Sequence, residues 1–228
     1  MTSSKTITNQ KPDENLTISV YKSIRKMMLN YEIVPGQRLV FVDLAKQLGV
    51  SRTPVNIALS ILAKEGFFDF VPNQGYTVHK ITREEAEGLY ELIKILALGA
   101  VPKAIRDLTL EKLWEFEKRR LEYEKAVVEQ VSRGRFILDQ ELHAYLLEMS
   151  GNPYLADHFR EAYQRIFLRH RIESLRPYRA QQVVQEHKEI FEAVQKRDVE
   201  LTKKLFESHI EAGKNYIFSY IFDEAEGR

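Results

Sequence analysis

The segment 50–62 limits the possible folds of this chain most, because it combines the signals of a helix start with an apolar stripe. Gly49 can close the turn before it, and Ser51 has the hydroxyl that a helix N-cap needs. Pro54 falls in the first helical turn, where its missing N–H costs no intrahelical hydrogen bond. Apolar residues then recur at helical spacing and predict one buried face: Val55, Leu59 and Leu62.

The segments on both sides predict a helix-turn-helix followed by a β wing. A turn at Pro35-Gly36 precedes a short helix with four apolar residues: Leu39, Leu44, Ala45 and Leu48. Gly66 ends the second helix, and alternation around the turn 72–75 predicts a two-stranded wing from four residues: Phe68, Phe70, Tyr76 and Val78. A leading helix is predicted from a further apolar set: Val20, Tyr21, Ile24, Met27 and Met28.

Arg52 and Thr53 are predicted to lie at the exposed N-terminal end of the second helix. In helix-turn-helix proteins this end of the recognition helix meets base edges in the major groove of DNA. The run Ser-Arg-Thr-Pro can equally begin an ordinary amphipathic surface helix, so the surrounding pattern decides between the two. That pattern favours a DNA-binding unit.

Residues 20–79 resemble the winged-helix domain of the GntR family of bacterial transcription regulators, and the stretch from Leu39 to Val55 agrees with the family in spacing and residue type. The resemblance implies that three helix residues and the wing tip contact DNA: Ser51, Arg52, Thr53, Gln74 and Gly75. The family usually has Arg-Glu after its Pro-Val pair, and this chain has Asn56-Ile57. An Asn side chain can bond adenine edges, so Asn56 is a further candidate and we expect a different operator.

Length and charge distribution predict two domains, preceded by a disordered tail over 1–15. Residues 16–80 would form the winged helix, and residues 81–228 an all-helical domain for effector binding and dimerisation. Residues 1–80 have ten Lys and Arg against six Asp and Glu, whereas the rest has 24 against 27. This asymmetry has the sign expected for a basic DNA-binding module. No cysteine is present, and no apolar run approaches the roughly 18 residues of a membrane span, so we expect a cytoplasmic protein.

The predicted fold class is mainly α: a winged helix-turn-helix with a small β wing, followed by an antiparallel helical bundle. A capping-box pattern at 82–85 begins the second domain, after which strand alternation disappears. Six helices are predicted there: 83–106, 109–131, 134–149, 153–173, 177–196 and 199–222. Bundle cores commonly hold ligand or metal sites.

Asp139 and His143 lie four residues apart, so both project from one helix face, and His187 and His209 follow on later helices. One carboxylate and three imidazoles suit Zn²⁺, Ni²⁺ or a similar divalent ion. Each histidine taken alone is more often a surface or core residue, and the Asp139–His143 pair can be an ordinary helix pair. The residues by themselves leave these alternatives open.

The second domain resembles the helical domain of FadR-type GntR regulators, many of which hold a metal through Asp-x-x-x-His and two later histidines. The resemblance implies that Asp139, His143, His187 and His209 are the ligands, and that the effector is a small organic acid or similar metabolite. The family usually has Arg where this chain has Ile93, so we expect a more apolar pocket. The missing charge could come from Arg169 or Arg171, although a solvent-exposed helix face is the alternative for both.

Taken together, the sequence predicts a homodimeric, ligand-responsive regulator, taken as a repressor, that binds a double-stranded DNA operator and is not an enzyme. One alternative is a metal-dependent hydrolase, with the glutamates beside the ligands as candidate bases: Glu141, Glu186 and Glu207. Another is a DNA-binding dimer without an effector, whose bundle would serve only to dimerise.

Overall fold

The computed structural model describes residues 12–129, 134–169 and 176–223. The chain divides into two compact units, with the boundary between Lys80 and Ile81. Arg171 and residues 1–11 lie outside the described residues. Among the described residues, no helix combines the length and apolar character needed to cross a bilayer.

From Pro12 onward, the first unit has three helices and a three-stranded antiparallel sheet. The helices are α1 (Pro12–Leu29), α2 (Phe41–Leu48) and α3 (Arg52–Lys64). The strands are β1 (Arg38–Leu39), β2 (Phe68–Val71) and β3 (Gly75–Val78), in the order β1-β3-β2. The helix-turn-helix and the wing are therefore present as predicted.

Helix α3 buries the stripe that its sequence predicts. Val55, Leu59 and Leu62 have no exposed surface, and they pack α3 into the core of the unit. Gly49 ends α2 in the left-handed region, with a φ of 67°, where a side chain would be disfavoured. Ser51 occupies the N-cap position of α3, but its hydroxyl makes no capping hydrogen bond. Ser51 is therefore at the expected N-cap position, but its side chain does not make the capping bond expected there.

Two further details of this unit differ from the prediction. Leu39 lies in β1 opposite Tyr76 rather than in a helix, so the described sheet has three strands and not two. Helix α1 begins at Pro12, inside the segment predicted as a disordered tail.

In the described ranges after residue 80, the second unit has six α-helices packed as a bundle, which confirms the predicted architecture. They are α4 (Arg83–Arg106), α5 (Leu110–Val128), α6 (Gly134–Glu148), α7 (Pro153–Leu168), α8 (Pro177–Gln195) and α9 (Val199–Phe218), and a π-helical turn follows at Ser219–Asp223. The predicted capping box is present at the start of α4. The Glu85 N–H donates to the Thr82 hydroxyl at 3.2 Å, and the Thr82 N–H donates to the Glu85 carboxylate at 3.0 Å.

Helix α4 lies at the centre of the bundle and packs against α6, α7 and α9, while α8 packs against α5 and α9. Small residues along α4 are fully buried and permit this close approach: Ala97, Ala100 and Ala104. The arrangement brings the inward faces of α6, α8 and α9 together, and these faces hold the predicted ligands.

Candidate functional site

The four predicted metal ligands meet inside the bundle. Asp139 and His143 project from α6, His187 from α8 and His209 from α9. One potential ligand atom from each lies within 4.8 Å of those from the others. Nε2 of His187 lies 3.1 Å from Nε2 of His143 and 3.3 Å from Oδ1 of Asp139. The helix spacing therefore groups residues that are far apart in the sequence.

The protonation states of the cluster suit metal coordination. Burial lowers the pKa of His143 and of His187 and so favours the neutral imidazole, which has a lone pair for a metal. Burial opposes the ionisation of Asp139, but its interactions with His143 and His187, including a hydrogen bond with His187, outweigh it and hold this pKa well below its ordinary value. An ionised carboxylate among neutral imidazoles is the donor set that divalent metals prefer.

The geometry of the cluster also fits a metal ion. Two imidazole nitrogens bound to one tetrahedral Zn²⁺ at about 2.0–2.1 Å lie about 3.3–3.4 Å apart, and the 3.1 Å separation of the His143 and His187 nitrogens is close to that. The side chain of Asp139 is only 14% exposed, and in the described parts of the chain no Lys or Arg forms an ion pair with it. A nearly buried carboxylate without a cationic partner is costly, and a bound cation would remove that cost.

A second layer of residues holds the ligands in position. Nδ1 of His209 lies 2.6 Å from the Glu186 carboxylate, which leaves Nε2 directed away from that bond. Glu186 also accepts from Arg179, at 3.1 Å between Nη2 and Oε2. The Tyr163 hydroxyl donates to Oδ2 of Asp139. Such partners fix the tautomer and orientation of metal ligands. From the sequence, Glu186 is expected only as a candidate general base, and no local pattern predicts its bond to His209.

The three glutamates considered as candidate general bases each lie beside a basic side chain. Glu141 accepts from Arg160 at 2.9 Å, and Glu207 lies 3.8 Å from Lys94 on a half-exposed surface. Glu186 is bound by Arg179 and His209, and those two contacts hold its pKa below the ordinary value although burial opposes this. Each of the three carboxylates thus has a structural partner.

A cavity of about 70 Å³ adjoins the cluster. Asp139, His143 and His209 form part of its wall. The remainder is largely aromatic and aliphatic, and it includes the predicted pocket residue Ile93 together with Tyr90, Tyr123, Phe136, Phe159, Tyr163, Phe167, Val183, Ile210, Tyr216 and Ile217. On the scale in which one water needs about 10–15 Å³, this space holds on the order of five to seven water-sized groups.

Among the described residues, the arginines in the cavity wall differ from the predicted Arg169. Arg169 is 4% exposed, does not line the cavity, and donates through Nη2 to Glu85 at 2.8 Å. Its position corrects both earlier interpretations, because the guanidinium neither faces solvent nor reaches the pocket. Arg135 and Arg179 line the cavity instead. Neither belongs to a recognisable motif, and only the packing of α6 and α8 reveals them.

The predicted DNA-contacting residues lie on one end of α3 and at the wing tip. Ser51, Arg52 and Thr53 are exposed in the first turn of α3. Asn56 is exposed as well, and its side-chain oxygen lies 3.4 Å from the Tyr76 hydroxyl of β3.

The wing tip is held by backbone geometry and one side chain. Gly75 has a φ of 86°, which closes the turn between β2 and β3. Arg38 donates through Nε to the Gln74 carbonyl at 2.8 Å, and the Gln74 side chain remains exposed. The first unit thus presents an exposed helix start and an exposed wing tip, as a winged-helix DNA-binding domain requires.

Comparison with known proteins assigns both units. The family model described as "Bacterial regulatory proteins, gntR family" matches residues 16–78. The FCD domain model matches residues 88–212, which is more than half of the chain. The chain belongs to the GntR family of bacterial transcription regulators. Within the GntR family, the combination with an FCD domain fits the FadR-like subfamily.

Individual GntR proteins are similar over most of the chain. YdhC of Bacillus subtilis, an uncharacterized HTH-type transcriptional regulator, is 28% identical over 193 residues, 84% of this chain and 86% of that protein. The Nta operon transcriptional regulator of Aminobacter aminovorans is 33% identical over 141 residues, 61% of this chain and 66% of that protein. The solved structure of McbR/YncC from E. coli has a TM-score of 0.77 at 22% identity and covers 90% of this chain and 98% of that one, so it shares the fold.

This GntR protein is therefore a DNA-binding transcription regulator with an FCD effector-binding domain. These relatives are named as transcriptional regulators, and none of their names describes an enzyme.

Proposed function

We propose that this regulator is a homodimeric, cytoplasmic repressor that responds to a small organic acid through a divalent metal in its FCD domain. The observation that supports this most is the convergence of Asp139 and three histidines beside a cavity whose wall includes Asp139, His143 and His209. Zn²⁺ and Ni²⁺ are the ions that fit this donor set best. When bound, the metal would supply a positive charge, and an ion with a coordination number above four would keep positions for an oxygen ligand besides the four protein ligands.

The DNA-binding part of the proposal rests on the first turn of α3. Arg52 is exposed there and has the guanidinium that commonly bonds guanine edges, while Ser51 and Thr53 have hydroxyls suited to base or phosphate contacts. Gln74 and Gly75 would enter the adjacent minor groove. Asn56 would bond an adenine edge after releasing its long contact with Tyr76.

Two copies of the winged helix would occupy two half-sites of a palindromic operator, because a two-fold symmetric dimer matches a two-fold symmetric sequence. The effector would act by binding more tightly to one arrangement of the two DNA-binding units than to the other. Its effect on operator affinity cannot exceed this difference in affinity.

The experiment is selection of binding sites from a random duplex pool by the full chain loaded with Zn²⁺, followed by fluorescence anisotropy on the selected duplex. We expect an inverted repeat whose half-sites are spaced by about one helical turn or a multiple of it. Enrichment of no sequence, or of a single half-site bound by one chain, would contradict the proposed dimeric regulator.

A further inference from the structure

Arg135 is an unusual residue, because its charged side chain is buried at the start of α6. The residue is 5% exposed and forms part of the cavity wall together with Asp139, one turn further along the same helix. A guanidinium is rarely buried unless it is paired, because removing it from water is costly.

Within the described ranges, the buried Nε and Nη2 atoms of Arg135 have no hydrogen-bond acceptor, and no ion pair among these residues involves its side chain. Arg179, the other arginine of the cavity, differs in this respect because the Glu186 carboxylate accepts from both of its terminal nitrogens. The Arg179 guanidinium is therefore hydrogen-bonded within the described protein, whereas two N–H groups of Arg135 are available to a ligand.

The charges around the cavity lead to the same conclusion. Two carboxylates, Asp139 and Glu186, balance the two arginines Arg135 and Arg179. A divalent metal bound by the ligand cluster would leave the cavity with two uncompensated positive charges. A buried excess of positive charge favours the binding of an anion.

The rest of the wall indicates what the anion is attached to. Phenylalanine, tyrosine and aliphatic side chains form most of it, including Phe136 beside Arg135 and Phe167, whose ring centroid lies 4.7 Å from that of Phe136. Such a wall suits an apolar or aromatic group. The volume of about 70 Å³ limits this group to a small size.

We propose that Arg135 binds the carboxylate of the effector and is the residue that makes the cavity selective for small organic acids over their neutral analogues. This inference rests on the proposed function, because it assigns the anion-binding group of the same effector site. The planar guanidinium donates two parallel N–H bonds to the two oxygens of a carboxylate. A neutral amide ligand has only one oxygen and cannot accept both bonds.

The test is thermal denaturation and calorimetric titration of the full, zinc-loaded chain with a panel of carboxylates of two to nine carbons. Each acid is paired with its amide, for example propionate with propionamide and benzoate with benzamide. We expect at least one acid to raise the melting temperature while its amide does not. Arg135→Gln should lower the affinity for that acid by about 10- to 100-fold, because a hydrogen bond to a charged group is lost.

Two control variants separate this inference from the proposed function. Arg160→Gln removes a partly buried arginine that does not line the cavity, and it should leave the affinity for the acid unchanged. Arg135→Lys retains the charge but not the planar pair of donors, and it should recover only part of the affinity. Zinc content and circular dichroism should be the same in Arg135→Gln as in the parent, which shows that the ligand cluster and the fold are intact.

Three outcomes would overturn the inference. Equal binding of an acid by the parent and by Arg135→Gln would assign the anchoring role to the metal alone, and the proposed function would stand. Equal binding of acids and amides by the parent would show that the cavity does not select an anion. Binding of no acid in the panel would contradict a carboxylate effector, whereas site selection on DNA would still test the regulator independently.

Discussion

Nδ1 of His209 lies 2.6 Å from the carboxylate of Glu186, one helix away. Because Glu186 is ionised, the imidazole donates from Nδ1 and its Nε2 lone pair remains available to a metal. The bond links the predicted metal ligand His209 to Glu186, which the sequence suggested only as a general base. It also joins the ligand cluster to Arg179, which lines the cavity.

Glu186→Gln should weaken zinc binding by about 10-fold or more, since second-layer partners of metal ligands typically contribute 10- to 100-fold to affinity. Competition with a chromogenic chelator measures the affinity directly. Glu189→Gln, an exposed change one turn further along α8, is the matched control and should bind zinc as the parent does. Equal affinities of Glu186→Gln and the parent would show that the His209 bond has no part in metal binding.

Arg169→Gln should lower the stability of the FCD domain by about 1–2 kcal/mol, because it removes a charged hydrogen bond to the capping-box residue Glu85. Urea denaturation measures the change in free energy of unfolding. The same variant should retain the parent's affinity for any carboxylate that binds the cavity, since Arg169 does not line it. Loss of ligand affinity with an unchanged free energy of unfolding would instead indicate that Arg169 contacts the ligand.

Arg52→Ala should weaken binding to the selected operator by about 1–3 kcal/mol and relax the preference at the base pair that Arg52 contacts. Gel shifts on the operator and on its single-base variants measure both effects. Lys64→Ala, at the opposite end of α3, is exposed and should have a much smaller effect. If Arg52→Ala bound the operator as the parent does, Arg52 would not be a base-contacting residue.

Removal of the metal should lower the melting temperature of the FCD domain. A ligand held at about 1,000 times its dissociation constant stabilises the folded state by about 4 kcal/mol, which for a domain of this size is a shift of about 10 °C. Differential scanning calorimetry with and without a chelator measures the shift. The His187→Ala variant should show little response to the chelator, and an equal response in the variant and the parent would place the metal elsewhere.

Much of the fold follows from local patterns. The buried stripe of α3 is predicted because a helix places three apolar residues at this spacing on one face, where they can be buried together. The third strand is different. Leu39 fits the spacing of the following helix equally well, and β1 exists because β3 offers it Tyr76 as a partner. A two-residue strand depends on a distant segment, so the local sequence does not determine it.

The candidate site shows the same division. Asp139 and the three histidines have types that suit a shared metal site in a bundle core, and the resemblance to FadR-type regulators selects that site among the alternatives. Arg135 has no such signal, since arginines on helices are usually exposed and its burial is a result of tertiary packing. Arg169 shows the converse: its chemistry suited an anion pocket, but its position beside Glu85 gives it a structural partner.

The central claim is that Asp139, His143, His187 and His209 bind a divalent metal, and elemental analysis of the purified full chain tests it most directly. We predict about one Zn²⁺ or Ni²⁺ per chain in the parent and in His158→Ala, whose histidine is exposed and lies outside the cluster. His187→Ala and His209→Ala should lose most of this metal. Full occupancy in both of these variants, or no metal in a parent supplied with zinc and nickel, would contradict the claim.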